Sequence, residues 1–249
     1  MSTLLLRLAG PMQAWGSSSR FARRRTDRAP TKSGVLGLLA AATGLRRTDP
    51  LEELLTLRFG VRIDQPGHIE RDFHTARPVV GKPFPLTDRF YLTDAVFLAA
   101  VEGDNSLIES LAEAVRRPAF PLYLGRRSCP PSGQLVVDVV DAGLWASLVS
   151  APYQAAGWWQ QKQSPQVELE VRVDADAISE ARMTSDFAAR QTEFRQKDEP
   201  LSFDPQLRQY ELRSVIQTTI PVVNSRGQRV DRRREMYLEH DPMAAVGGA

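Results

Sequence analysis

Cysteine is almost absent from this chain: Cys129 is the only one among 249 residues. A lone thiol excludes an intramolecular disulfide and a cysteine-built zinc site, and it suits a reducing cytoplasm. Histidine is also scarce, with only His68, His74 and His240. No Ser-His-Asp set, paired-carboxylate motif or metal-ligand spacing stands out, so the sequence assigns no catalytic residue, metal or cofactor. Long apolar runs are missing too. Met1 to Arg7 lacks a charged n-region and is interrupted by Arg7, unlike a secretory signal. Val35 to Leu45 is too short to span a bilayer, so no membrane partner is expected. Net charge is only +2, so the chain is not a polycation overall, and no internal repeat is visible.

What is present is ordinary globular material with an uneven distribution of charge. Hydrophobic residues make up 42% and charged residues 25%, enough for a sizeable core in one large domain or two small ones. Arg20 to Arg28 holds five arginines against one aspartate, and Arg226 to Arg234 repeats that balance. Each cluster is either a solvated face or an attractive field for a polyanion.

Leu4 to Leu8 has the pattern of a buried strand, and Val35 to Leu45 that of an apolar, alanine-rich helix. A short helix is expected over Leu51 to Leu57, after Asp49-Pro50. Phe59, Val61 and Ile63 alternate with polar residues as in a half-buried strand. Gly67 to Leu86, rich in proline and basic residues, interrupts the pattern as an inserted hairpin or long loop. Tyr91 to Val101 predicts a strand. Leu107, Ile108, Leu111 and Val115 share a helical face, with Asp104, Asn105 or Ser106 as cap, and Leu135 to Val140 predicts a last strand. The expected class is therefore α+β, a ferredoxin-like, RNA-recognition-like βαββαβ palm over residues 1–150. A β-rich segment follows over 151–240, with strands near Val167–Val173 and Ile216–Val222, and a flexible Ala/Gly tail over 241–249.

Two loops attract attention. The first runs from Gly10 to Gly34 and ends in Thr31-Lys32-Ser33-Gly34, just before the first helix. A Walker A loop needs glycine where Thr26 and Thr31 stand, so the nucleotide-binding reading fails its spacing test. The helix start still offers free N–H groups and a positive dipole end to a phosphate. The second loop carries Gly125-Arg126-Arg127-Ser128 before the last palm strand. Glycine admits close approach to the main chain, and arginine brings charge in a planar fork. The two loops form one RNA groove or two solvated turns, and their paired placement favours the groove. The aromatic signature of an RNA-recognition sheet is absent, so stacking on the sheet face is not expected. Trp15 and Phe21 are candidate stackers, or else core aromatics. His74 is either an RNA contact or a general base, and acid–base work would require a second group.

"LRLAGPMQAWG", "PTKSGVLGLLAAATGL", "RDFHTAR" and "YLGRRSCPPSG" occur in that order between Leu6 and Gly133. Together they resemble the fifth Cas family of CRISPR-associated proteins, in the RAMP superfamily, and most closely its Cascade members of the type I-E system. "DEPLSFDPQLRQYELR", Asp198 to Arg213, is similar to a segment found in a subset of that family. The resemblance implies a ferredoxin-like palm with a projecting β-hairpin thumb, here about Thr75 to Leu92. It implies a subunit that holds the 5′ handle of CRISPR RNA and caps one end of the Cascade backbone. Its partners would be a neighbouring backbone subunit and the large PAM-recognising subunit, with target DNA contacted indirectly. On this chain Arg20, Arg24, Arg28, Lys32, Arg126 and Arg127 would neutralise handle phosphates. Thr31, Ser33, Gly34, Gly125 and Ser128 would offer hydroxyl or main-chain contacts, and Trp15 a stacking ring. His74 and Arg77 would sit at the thumb base near the handle-to-spacer junction, and Lys82 is a further RNA-binding candidate. In the subtype resembled, a separate subunit cuts precursor RNA, which implies a non-catalytic binder. The alternative is a metal-independent endoribonuclease using His74 with Tyr123 or Lys82.

Overall fold

The computed structural model describes residues 1–16, 23–78, 81, 84–178 and 191–228. The expected Ala/Gly tail, Arg20, Phe21 and Lys82 lie outside the described residues, as does the basic run from position 229 onward.

The chain opens with β1 (Ser2–Ala9), buried along almost its whole length as its unbroken Leu4-Leu5-Leu6 run demands. Two short strands follow, β2 (Met12–Gln13) and β3 (Arg23–Arg24). Then comes α1 (Lys32–Thr43), whose cap Thr31 accepts a hydrogen bond from Gly34 N at 3.2 Å, and which ends at Gly44 in the left-handed conformation. A single turn, α2 (Glu52–Leu55), leads to β4 (Arg58–Gln65). The excursion is an antiparallel hairpin of β5 (His68–His74) and β6 (Thr87–Thr93), so it starts at His68 rather than at Thr75. The run expected as one strand from Tyr91 to Val101 is two, β6 and β7 (Val96–Gly103), because the chain turns at Asp94 with φ 55°. Aspartate tolerates that left-handed conformation and thus separates the hairpin from the main sheet. Next come α3 (Asn105–Arg116), capped by Asp104, β8 (Val136–Val140), α4 (Leu144–Ser150) and α5 (Gly157–Gln160). The last strands are β9 (Gln166–Asp174), β10 (Thr192–Ser202) and β11 (Gln209–Val223).

The main sheet has seven strands in the order β10-β11-β9-β4-β7-β1-β8, with antiparallel neighbours throughout. Its β4-β7-β1-β8 part carries the strand–helix–strand, strand–helix–strand order expected from the sequence. The C-terminal strands do not form a sheet of their own. β9 pairs with β4 through Gly60 to Arg62, extending the same sheet, while β11 and β10 lie beyond it.

Both faces of the sheet are covered. On one, Leu4, Leu6, Leu8, Phe97, Ala99 and Val101 pack under α1 and α3. On the other, Leu5, Leu98 and Ala100 pack against Leu144, Leu148 and Ala151, the 1, 5, 8 spacing of a helical face. α4 therefore lies over the surface on which an RNA-recognition domain would stack bases. It is fastened by the fully buried Arg62, which donates to the carbonyls of Leu148 (2.6 Å), Ala151 (2.8 Å) and Pro152 (2.7 Å). The same guanidinium forms a two-pronged pair with Asp64. Among the described residues, no helix is long and apolar enough to cross a membrane.

Candidate nucleic-acid interface

The hairpin is where the two basic loops meet. β2 and β3 both lie along β6, opposite the edge taken by β5: Met12 pairs with Thr93, Gln13 with Leu92, Arg23 with Asp88 and Arg24 with Arg89. The first loop thus lies along the hairpin's second strand. The second loop closes on both. Arg126 donates to the carbonyls of Phe90 (3.0 Å), Arg24 (2.7 Å) and Arg25 (3.2 Å), with its guanidinium 4.8 Å from the centre of the Tyr91 ring. Gly125 sits at φ +84°, and a Cβ there would lie 1.7 Å from the Ala14 carbonyl oxygen. Only glycine allows the loops to approach that closely. Ala14 N donates to Leu124 O at 3.1 Å and completes the junction.

This geometry separates exposed side chains from buried scaffold. Arg24, Arg28, Arg77, Arg127 and Ser128 are exposed, as are Arg23, Arg25 and His74. Burial pushes the Tyr91 phenol up, but hydrogen bonds with Ser128, Arg126 and Arg89 outweigh it and hold the group below its ordinary value. Trp15 is not a stacking platform: it is 1% exposed, and its Nε1 donates to Gln13 Oε1 at 3.0 Å. Gly34 is fixed by that indole, since a Cβ would meet Trp15 at 2.8 Å and Thr31 Oγ1 at 2.9 Å. Thr31 is consumed as the helix cap, and Ser33 is buried with it.

Lys32 departs most from expectation. Its ammonium is buried and paired with Asp174 at 3.2 Å and Glu199 at 2.8 Å. Its backbone N–H donates to Asp198 Oδ2 at 2.8 Å. Asp198 therefore occupies the place at the start of α1 that a phosphate would take, and the helix dipole acts on an internal carboxylate. Arg213 closes the cluster, donating to Asp198 Oδ1 (2.7 Å), Asp198 Oδ2 (3.1 Å) and Asp174 Oδ1 (2.5 Å). The Asp198 to Arg213 segment thus binds the chain's own first helix. Neither Lys32 nor the α1 start is open to RNA.

Sequence reasoning missed Arg62 with Asp64, and it missed a groove at the hairpin root. That groove encloses about 750 Å³, with Arg28, His68, Tyr153, Trp159 and Arg172 among its lining residues. The spacing of Arg28 from His68 held no signal, because only the folding back of the first loop brings them together. His74 is not at the hairpin base: it lies opposite Thr87 at the far end of the β5–β6 ladder, nearer the tip than Arg71, which faces the Phe90 contacted by Arg126.

Residues 3–216 match the family described as CRISPR-associated protein (Cas_Cas5). The CRISPR system Cascade subunit CasD of Escherichia coli (strain K12) is 38% identical over 162 residues, covering 57% of this chain and 72% of that protein. A chain of a CRISPR RNA-guided surveillance complex superposes with a TM-score of 0.71 at 32% identity, over 94% of this chain and 96% of that one. The crystal structure of a Cas protein gives 0.66 at 33% identity, over 90% and 97%. The extent of the family match and the identity to CasD place this chain in the Cas_Cas5 family of CRISPR-associated proteins.

Proposed function

We propose that this protein is a non-catalytic, cytoplasmic CRISPR RNA-binding subunit of a Cascade complex, which holds the 5′ handle of the guide and caps one end of the complex's backbone. The observation that carries this reading is the convergence of two basic loops on the second strand of one hairpin, joined by Arg126. The β4-β7-β1-β8 unit with α1 and α3 serves as a ferredoxin-like palm, and β5–β6 as the thumb. With the sheet face covered by α4, recognition moves to the loops along β6 of the hairpin. Arg23, Arg24, Arg25, Arg28 and Arg127 supply charge to handle phosphates, Ser128 and the Gly125 main chain supply polar contacts, and Arg77 and His74 lie along the thumb. Ile69, Phe73, Phe84 and Leu86 are exposed on the hairpin and its tip, a surface suited to a neighbouring backbone subunit. The large PAM-recognising subunit is the other expected partner, and guide pairing rather than this chain would read target DNA.

Arg127→Gln and Arg28→Gln test the interface by titration of handle RNA over a salt series. Each removed phosphate contact lowers the salt slope by about 0.7 for a single strand. Unchanged slopes in both variants would remove the assignment. Incubating the protein with precursor repeat RNA in EDTA tests the non-catalytic reading: specific cleavage that disappears in His74→Ala would replace it with the endoribonuclease.

A further inference from the structure

Arg126 stands at the centre of the RNA-binding loops, yet its hydrogen bonds point into the protein. We propose that Arg126 is a positioning residue that sets the Arg23–Arg25 segment on the handle-binding surface and is not itself a phosphate ligand. The inference rests on the RNA-binding reading above. A guanidinium offers two two-pronged donor faces, one formed by Nε with Nη2 and one by Nη1 with Nη2. Both hydrogens of Arg126 Nη2 are already directed at the Arg24 and Arg25 carbonyls, and Nη1 donates to the Phe90 carbonyl. Neither face is left whole for a phosphate. One side of the group is also covered by the Tyr91 ring.

Beyond Thr26 and Asp27, which are tied to Trp15, the Arg23–Arg25 segment has only a short ladder to fix it. β3 is two residues long and meets β6 only at Asp88 and Arg89, and so short an edge strand is weakly held by its own ladder. Arg126 takes the carbonyls of Arg24 and of the residue after it, clamping the strand end while the Arg23, Arg24 and Arg25 side chains remain exposed. Lysine cannot replace it, because one ammonium on a flexible stem cannot span three carbonyls on two segments. Its neighbour Arg127 is exposed and serves as the contrasting case.

The full chain is titrated with fluorescent handle RNA over a potassium chloride series, as wild type, Arg126→Lys, Arg126→Gln, Arg24→Gln, Arg127→Gln and Arg126→Gln with Arg24→Gln. Amide hydrogen exchange is followed in the wild type and both single Arg126 variants. Arg126→Lys and Arg126→Gln should each weaken binding about tenfold, a coupling of ordinary size for contacting groups. The salt slope should fall in both, because the Arg23–Arg25 contacts are lost with their positioning, and it should fall as far in Arg126→Lys, which keeps the charge at 126, as in Arg126→Gln. Arg24→Gln should cost several-fold alone and less than about twofold beside Arg126→Gln, since the misplaced arginine is already lost to binding. Exchange should rise at residues 23–27 and stay unchanged in α1 and β7, which separates local release from unfolding. Wild-type affinity and slope in Arg126→Lys, or an Arg24→Gln cost as large beside Arg126→Gln as alone, would make Arg126 a phosphate ligand and overturn the proposal. If the wild type shows no salt-dependent handle binding, the functional reading fails separately. Exchange at 23–27 then decides whether Arg126 holds the segment, and unchanged rates would overturn that. Arg126→Lys preserves length and charge and carries the exchange measurement should Arg126→Gln not fold.

Discussion

Replacing Lys32 with methionine removes a buried cation while keeping most of the side chain's volume. The cluster around it has two cations, Lys32 and Arg213, and three carboxylates, Asp174, Asp198 and Glu199, a formal charge of −1. The variant has −2 in the same space. Breaking a buried ion pair by removing one partner typically costs 3–5 kcal/mol. The low end applies here, about 3 kcal/mol, because the Glu199 side chain is 21% exposed and is reached by water. For a chain of this size, that lowers the melting temperature by about 6–12 °C. The deficit should also depend on pH. Burial pushes the Glu199 carboxyl above its ordinary value, even with the Lys32 hydrogen bond pulling it down. A carboxyl raised in the folded state binds its proton more tightly there, so it favours folding most below its unfolded pKa and loses that contribution as pH rises through the folded one. Losing Lys32 raises Glu199 further. The stability gap to wild type should therefore be full at neutral pH and narrow toward acid, as Glu199 takes up its proton. Differential scanning calorimetry of both proteins from neutral to mildly acidic pH measures it. A shift below about 2 °C at neutral pH, or a gap that widens toward acid, would refute the reasoning. Unchanged melting with a reduced RNA salt slope would instead return Lys32 to the phosphates.

Gly125→Ala places a methyl on the Ala14 carbonyl at a positive φ, so it should undock the two loops and raise hydrogen exchange at residues 13–15. Gly34→Ala forces the Trp15 ring aside and should cost about 1–3 kcal/mol in denaturant unfolding. Cys129 is buried, and burial pushes its thiol above the ordinary value despite the Ser128 hydrogen bond. Its thiolate is therefore scarcer at mildly alkaline pH than that of an open cysteine. Alkylation by iodoacetamide should be slow in the folded protein and fast in denaturant, and equal rates would contradict the packing.

Where hydrophobic rhythm was strong, the sequence led directly to structure: β1, α1, β4 and α3 follow from the spacing of leucine and valine. α4 has only seven residues, too few for a helical period to declare itself. β10 escaped for a different reason. It buries Asp198 and Pro200 between charged neighbours, so its inward face is not apolar. The basic loops were legible because arginine clusters stand out without a fold. Lys32 was misread for the same reason. Beside a glycine turn at a helix start, a lysine has the appearance of an anion site, and the carboxylates that neutralise it stand 142 and 167 residues further along. Local pattern reports charge, while only tertiary structure reports whether that charge is already matched. Arg126 and Arg127 differ in the same way, adjacent in sequence, the one bonded to three carbonyls and the other exposed.

The hydrogen bond from Lys32 N to Asp198 also sets an order in time. The two residues are 166 positions apart, and at 5–20 residues per second roughly 8–33 s of synthesis separate them. The first helix is made early and capped late. Until then its lysine can meet Asp174 but not Glu199, and β9 lacks the neighbour that β11 will bring. A nascent chain stopped short of Asp198 thus presents an open sheet edge and a bare helix start, a form that proteases and chaperones can distinguish from the finished subunit.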